Sequence, residues 1–173
     1  MAGEIRPTIT GETTCRVDMG RARLQSKDFP AGPDDGCGEV EAGGRRWRFQ
    51  HVSIGNPQCA IRVGDVDELA ALDLSVEGPP IEHDPRFPNR TNVSFWTPTG
   101  PATIRARIFE RGVGETQSSG TGACGAAISH VLRGGDSPVT VELDGGELTV
   151  DVDESLHVDL EGWAVPVFKG EFG

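Results

Sequence analysis

Hydrophobic and polar residues alternate, or gather in short β-branched runs, at Thr13–Met19, Arg46–Ile54, Gln58–Val63, Thr91–Trp96, Thr103–Phe109, Val139–Leu143, Glu147–Val152, Leu156–Leu160 and Ala164–Lys169. A period of two marks a strand with one face in a core, so each run is predicted to be a strand. Val139 to Leu143, then Asp144-Gly-Gly, then Glu147 to Val152 reads as an antiparallel hairpin, because Asp-Gly supplies the positive φ of a tight turn. Helical spacing occurs in Asp65–Leu74, through Val66, Leu69 and Leu72, and in Thr121–Arg133, where small residues lead to Ile128, Val131 and Leu132 before Gly134-Gly135. Pro79–His83 reads as a weaker turn, and residues 26–45, rich in Pro, Gly and Asp, as a mobile loop. With no internal repeat, low-complexity tract or domain boundary, the pattern predicts a single β-rich domain over residues 1–173.

Composition narrows the function classes. The 173 residues suffice to bury roughly 70% of the unfolded surface without a metal or disulfide. Sixteen basic against 27 acidic residues give a net charge of −11, which argues against nucleic acid and anionic membranes as partners, since both need clustered Lys and Arg. No apolar run approaches the roughly 18 residues of a membrane span. Met1-Ala-Gly-Glu-Ile-Arg-Pro lacks the apolar core of a secretory signal, and a cytoplasmic protein is expected. Cys15, Cys37, Cys59 and Cys124 are widely spaced, which predicts reduced thiols rather than a zinc or disulfide framework. His51, His83, His130 and His157 fall at no ligand spacing, and Asp65-Val-Asp-Glu68 and Asp151-Val-Asp-Glu154 read as solvated acids. No metal and no cofactor are expected.

The stretch from Phe109 to Ala127 carries the most chemical information. A strand ends in Glu110-Arg111, a glycine loop follows, and a helix of small residues begins. Such a helix start offers unpaired N–H groups and the positive end of a dipole. Ser119, Gly120, Thr121 and Gly122 let a carboxylate or phosphate approach them. The alternative is a plain capped helix whose small residues permit close packing. Gly120-Thr-Gly122-Ala-Cys-Gly125 also satisfies the G-x-G-x-x-G dinucleotide fingerprint. Its context, a polar segment before and a hairpin after, argues against a nucleotide site.

Several separated motifs, in order, resemble the C-terminal half of the diaminopimelate epimerase family. They are Arg16-Val-Asp-Met-Gly20, Ser53-Ile-Gly-Asn-Pro57, Phe87-Pro-Asn-Arg-Thr-Asn-Val93, Glu110-Arg-Gly-Val-Gly-Glu-Thr116, Ser119-Gly-Thr-Gly-Ala-Cys124 and Phe168-Lys-Gly-Glu-Phe172. The resemblance runs from about residue 10 onward and implies an α+β fold, a mostly antiparallel, barrel-like sheet around a central helix. It implies one half of a pseudo-symmetric two-domain, cofactor-independent isomerase that interconverts LL- and meso-diaminopimelate in lysine and peptidoglycan precursor synthesis. The positions matching the family's substrate contacts are Asn56, Asn92, Glu110, Arg111, Gly120 and Thr121; Ser119 stands at the position of this half's catalytic cysteine.

Two departures alter that expectation. Serine is a far weaker acid than a thiol and needs a base to help it, and Gln58 follows Gly-Asn-Pro where the family usually has His. Cys124 lies more than a helical turn past Ser119. The isolated chain is therefore expected to be weakly active or inactive. Three readings stay open: an epimerase half that needs an N-terminal partner domain, an amino-acid-binding relative that does not epimerise, and a related racemase or isomerase with another substrate. A homodimer is the alternative to the missing domain, and charge repulsion predicts that it would be weak and strengthened by salt.

Overall fold

The computed structural model describes residues 7–165 and 167–171. Its strands are β1 (Pro7–Ile9), β2 (Thr14–Arg21), β3 (Cys37–Ala42), β4 (Arg45–Ser53), β5 (Pro57–Arg62), β6 (Asn92–Gly100), β7 (Thr103–Glu110), β8 (Gly114–Thr116), β9 (Val139–Leu143), β10 (Gly146–Val152) and β11 (His157–Trp163). Its helices are α1 (Val66–Ala71), α2 (Leu74–Glu82) and α3 (Gly120–Val131). The strands make one mixed sheet in the order β1-β2-β11-β10-β9-β7-β6-β5-β4-β3, with β8 beside β7. β5–β6 and β7–β9 are parallel, and the other pairs are antiparallel.

The sheet curls around α3 without closing. Its two arms meet at a single bridge, where Arg23 and Ser53 exchange backbone hydrogen bonds of 2.9 and 2.8 Å. The wall is thus barrel-like, and the fold is α+β. Among the described residues no helix is long and apolar enough to cross a membrane.

Strand parity divides the interior into two cores. Ala60, Trp96, Ile104, Ala106, Ile108, Val139, Val141 and Val150 face inward and pack on Ala123, Cys124, Ala126, Ala127 and Ile128 of α3. Their neighbours of opposite parity, Cys59, Ile61, Val93, Phe95 and Phe109, face outward onto Leu69 of α1 and Leu74 and Ile81 of α2, with Trp47 and Phe49 beside them. β5 and β6 are therefore buried on both faces, which accounts for their continuous apolar character. A helix enclosed by strands must be thin. A Cβ added at Gly125 would stand 2.8 Å from Gln58 Cβ, and one at Gly122 would stand 2.8 Å from Ile108 Cγ2. The glycines of the G-x-G-x-x-G pattern lie within α3, where the sheet fills the space that side chains would need.

Several expectations are corrected. The supposed mobile loop at 26–45 contains β3, whose Val40 and Ala42 enter the outer core, and Phe29 within it is also buried. Its Pro, Gly and Asp obscured the short alternation. The single helix expected at Asp65–Leu74 is two: Leu72 turns extended, with ψ 134°, and Asp73 caps α2 by accepting from Ser75 N. α2 carries Pro79 and Pro80 inside it, where only a turn was expected. Burial of Leu74, Gly78 and Ile81 outweighs the donors that the prolines lack. The three-residue strands β1 and β8 were too short for periodicity to show. No strand forms at the described residues of 164–169; Pro166 and Phe172 lie outside the described residues. The Asp144-Gly145 hairpin forms, but its positive φ, 126°, falls on Gly146.

Gly78 lets α2 lie directly on Phe109, since a Cβ there would come within 2.4–2.7 Å of the ring. Gly78→Ala is expected to cost about 1–3 kcal/mol, the usual range for overpacking, measured as a lowered urea midpoint at unchanged slope. Gly100→Ala, whose Cβ would meet Thr103 at an ordinary 3.5 Å, should change stability by less than about 0.5 kcal/mol.

Candidate functional site

Strand register brings distant sequence positions to one end of the sheet. Gln58 pairs with Asn92 across β5 and β6, and Val93 pairs with Phe109 across β6 and β7. Asn92 and Glu110 therefore end neighbouring strands. Gln58, Asn92 and Glu110 share the parity of the inner core, so they lie on the α3 face of the sheet. Asn56 continues the same parity just before β5.

The start of α3 is held against this edge. Ser119 is the N-cap in extended conformation, φ −149° and ψ 118°, and its Oγ accepts from Gly122 N at 3.3 Å. Ser94 Oγ on β6 donates to Gly122 O at 3.1 Å, tying the first turn to the sheet. Gly145 N of the β9–β10 hairpin donates to Gln117 O at 2.7 Å and fixes the approach from the other side. Ser119 is buried, whereas Gly120 and Thr121 are half-buried. Among the described residues their first-turn N–H groups have no partner, which leaves donors at the positive end of the helix.

The asparagines are braces as well as candidates. Asn56 Nδ2 donates to Thr121 Oγ1 at 3.1 Å, and Asn56 Oδ1 accepts from Gln58 Nε2 at 3.0 Å. Asn92 Nδ2 donates to Pro57 O at 3.1 Å, and its Oδ1 accepts from Arg111 N at 2.9 Å. Asn92 thus locks the Glu110–Gly112 turn to the strand ends and keeps one amide hydrogen in reserve. Glu110 is half-buried, and its carboxylate has no ion-pair partner among the described residues. Arg111 Nη1 donates to Asn89 O at 2.6 Å, leaving part of its guanidinium uncommitted among the described residues. All seven predicted site residues lie along this one edge.

Sequence reasoning missed Glu82. Its buried carboxylate on α2 accepts from Gly112 N at 2.9 Å and pairs with Arg90 at 3.4 Å, joining the two loops that carry Asn92 and Arg111. Arg90 has φ 59°, a left-handed conformation uncommon outside glycine. A lone acid at the end of an apolar helix gave no signal of this role. Gln58 was noted as a departure, but its hydrogen bonds were not foreseen. Ser119 Oγ has no titratable partner among the described residues; Gly122 N alone bonds to it. Cys124 is wholly buried, and desolvation pushes its thiol up to about 12.

His157, which falls at no ligand spacing in the sequence, is brought beside two carboxylates by strand pairing. Asp18, His157 and Asp159 bring one ligand atom each within 4.8 Å of one another on β2 and β11. Arg16 pairs with Asp159 at 2.9 Å and Asp151 at 3.2 Å, while His157 Nε2 lies 3.0 Å from Asp18, so the cluster is a partly neutralised surface ion-pair network. Surface depressions of about 440 Å³ beside Thr14, Thr149 and Trp163 and about 400 Å³ beside Glu39, Arg46 and Arg86 are both lined by residues outside the α3 edge.

A model of the diaminopimelate epimerase family matches residues 50–164. The diaminopimelate epimerase of Synechococcus sp. (strain JA-3-3Ab) is 41% identical over 98% of this chain and 62% of its own length. That of Pelotomaculum thermopropionicum is 44% identical over 91% of this chain and 56% of its own. The chain thus spans only part of the length of these relatives. Among solved structures, a phenazine biosynthesis protein from Bacillus anthracis matches with a TM-score of 0.59 and 19% identity over 92% of this chain and 61% of that one. A probable proline racemase from Agrobacterium radiobacter K84 matches with a TM-score of 0.64 and 15% identity over 94% and 55%. These structural likenesses speak to the fold alone.

Proposed function

Since this chain belongs to the diaminopimelate epimerase family, we propose that it supplies one wall of an amino-acid epimerase site, cofactor-independent and acting on LL- or meso-diaminopimelate. One observation carries the reading: Asn56, just before β5, reaches Thr121 in the first turn of α3, and Asn92 and Glu110, at the ends of β6 and β7, lie on the same α3 face of the sheet. Glu110 would neutralise the α-ammonium, and the amides of Gly120 and Thr121 would take the α-carboxylate. Arg111 and the braced asparagines would fix the orientation between them.

The second wall would come from the first half of a full-length protein, as the greater length of the relatives supports. Trp163, Val165, Val167 and Phe168 are exposed near the end of the described chain and offer apolar surface of the kind that such a half would cover. Ser119 favours a second reading for this wall. A capping hydroxyl with no base beside it among the described residues binds and orients but is a poor acid–base group, so the chain holds an amino acid without epimerising it.

Titration with meso-diaminopimelate, followed by amide-resolved NMR, is expected to shift resonances at residues 110–122 together with Asn56 and Asn92. Shifts confined to other regions would overturn the site.

A further inference from the structure

We propose that the far end of α3 carries a second binding site, for a small oxyanion of the phosphate class, held by the guanidinium groups of Arg62 and Arg133 and the indole N–H of Trp96. The inference stands apart from the amino-acid reading. α3 spans Gly120–Val131, roughly 18 Å, and the candidate residues above sit at its opposite end.

Arg62 ends β5 in register with Trp96 of β6, and both continue the inward parity of Gln58 and Asn92. The Arg62 guanidinium lies 5.9 Å from the centre of the Trp96 ring. Arg133 follows the last turn of α3, and with Arg62 and Trp96 it lines a depression of about 240 Å³. That volume is below the roughly 300–1,000 Å³ that drug-sized ligands take, and it suits an ion.

The lining selects an anion. Arg16, Arg45, Arg86 and Arg105 each meet a carboxylate, whereas Arg62 and Arg133 have no ion pair among the described residues, in a chain of net charge −11. Trp96 is fully buried, and its Nε1 has no hydrogen-bond partner among the described residues, a rare condition for a buried donor. Neighbouring polar groups are already engaged. His130 Nε2 donates to Pro101 O at 2.9 Å, and its ring meets the Trp96 ring edge to face at 5.6 Å. The carbonyls of His130 and Val131, which would repel an anion, accept from the backbone N–H groups of Arg133, Gly134 and Gly135. Asp136, exposed at the rim, sets one negative charge against two positive ones. An oxyanion supplies acceptors to both guanidinium forks and to the orphan indole donor. Phosphate, with up to two charges, answers two arginines better than a carboxylate does.

Titration of the intact chain with inorganic phosphate, at ionic strength held constant with sodium chloride, tests this through the indole and guanidinium NMR signals. The Trp96 indole and the Nε signals of Arg62 and Arg133 are expected to shift and saturate, while the Trp47 indole, bonded to Glu77 at 3.1 Å, stays in place. Arg62→Gln and Arg133→Gln should each weaken phosphate about ten-fold, the scale of a hydrogen bond to a charged group. Asp136→Asn should tighten it about two- to five-fold, the scale of an exposed charge pair. Acetate is expected to bind more weakly, and acetate of equal affinity would overturn the choice of phosphate. A Trp96 signal that moves as much with sodium chloride alone would reduce the effect to screening and overturn the site. Phosphate shifts confined to residues 119–122, or binding unchanged in both arginine variants, would overturn it as well.

Discussion

In heavy water, this chain alone is expected to leave the α-proton of meso-diaminopimelate unexchanged. Ser119→Cys, combined with the first half of a full-length relative, is expected to raise exchange by about 10²–10⁴-fold, the usual worth of a positioned acid–base group. The reason lies at the cap of α3. A serine hydroxyl becomes a useful proton acceptor only when a base takes its proton, and Ser119 Oγ meets only Gly122 N among the described residues. A thiol there, ordinarily near 8.5, would be drawn down by the helix N-terminus and would ionise near neutrality. The native cysteines of the core offer no substitute, since burial pushes Cys124 up to about 12 and raises Cys59 well above its ordinary value. Deuterium incorporation, read by mass spectrometry or proton NMR, measures the rate. Substantial incorporation by the unmodified chain would show that the base is another group.

The extent to which the fold was legible follows from what each element depends on. β9 and β10 alternate cleanly because one face meets α3 and the other is more open, so a period of two was enough. β5 and β6 read as apolar runs because both faces are covered. β3 and α2 were hidden for opposite reasons: the first sits among Gly, Pro and Asp, and the second survives two prolines because Phe109 and the rest of the outer core hold it in place. Tertiary burial decided both, and local composition does not record it.

The site was legible only through motif resemblance. Nothing in spacing joins Asn56, Asn92 and Glu110; they lie toward one face and one end of the sheet because two strand registers share one parity. Glu82 and Gln58 lay further from view. One anchors a turn through a backbone amide, and the other braces Asn56 through a side-chain hydrogen bond. Neither property is a matter of residue type alone.

Acid should destabilise the fold between about pH 6.5 and 4, and His51 should be the main cause. The ring is fully buried on β4, 5.2 Å from Phe29 and 6.1 Å from Phe87, with Ser26 Oγ 2.9 Å from Nε2. Desolvation lowers its pKa from 6.5 to about 4, outweighing the attraction of Asp28. The folded state thus keeps the imidazole neutral where the unfolded chain already binds a proton. The associated stability is complete above pH 6.5 and is lost as the pH falls toward 4; the shift corresponds to about 3 kcal/mol. Carboxylates held low by their partners, such as Asp84 beside Arg86, release their stability at lower pH and leave this window to the histidine. His51→Phe keeps an aromatic ring against Phe29 and Phe87 and removes the titrating group. Its urea midpoint should stay nearly flat from pH 7 to 4.5 while that of the wild type falls. Parallel curves for the two proteins would assign the acid sensitivity elsewhere. Phe87 opens the segment Phe87–Val93 that carries Asn92, so the acid-weakened core is joined through a short stretch of chain to the residue that braces the Glu110–Gly112 turn.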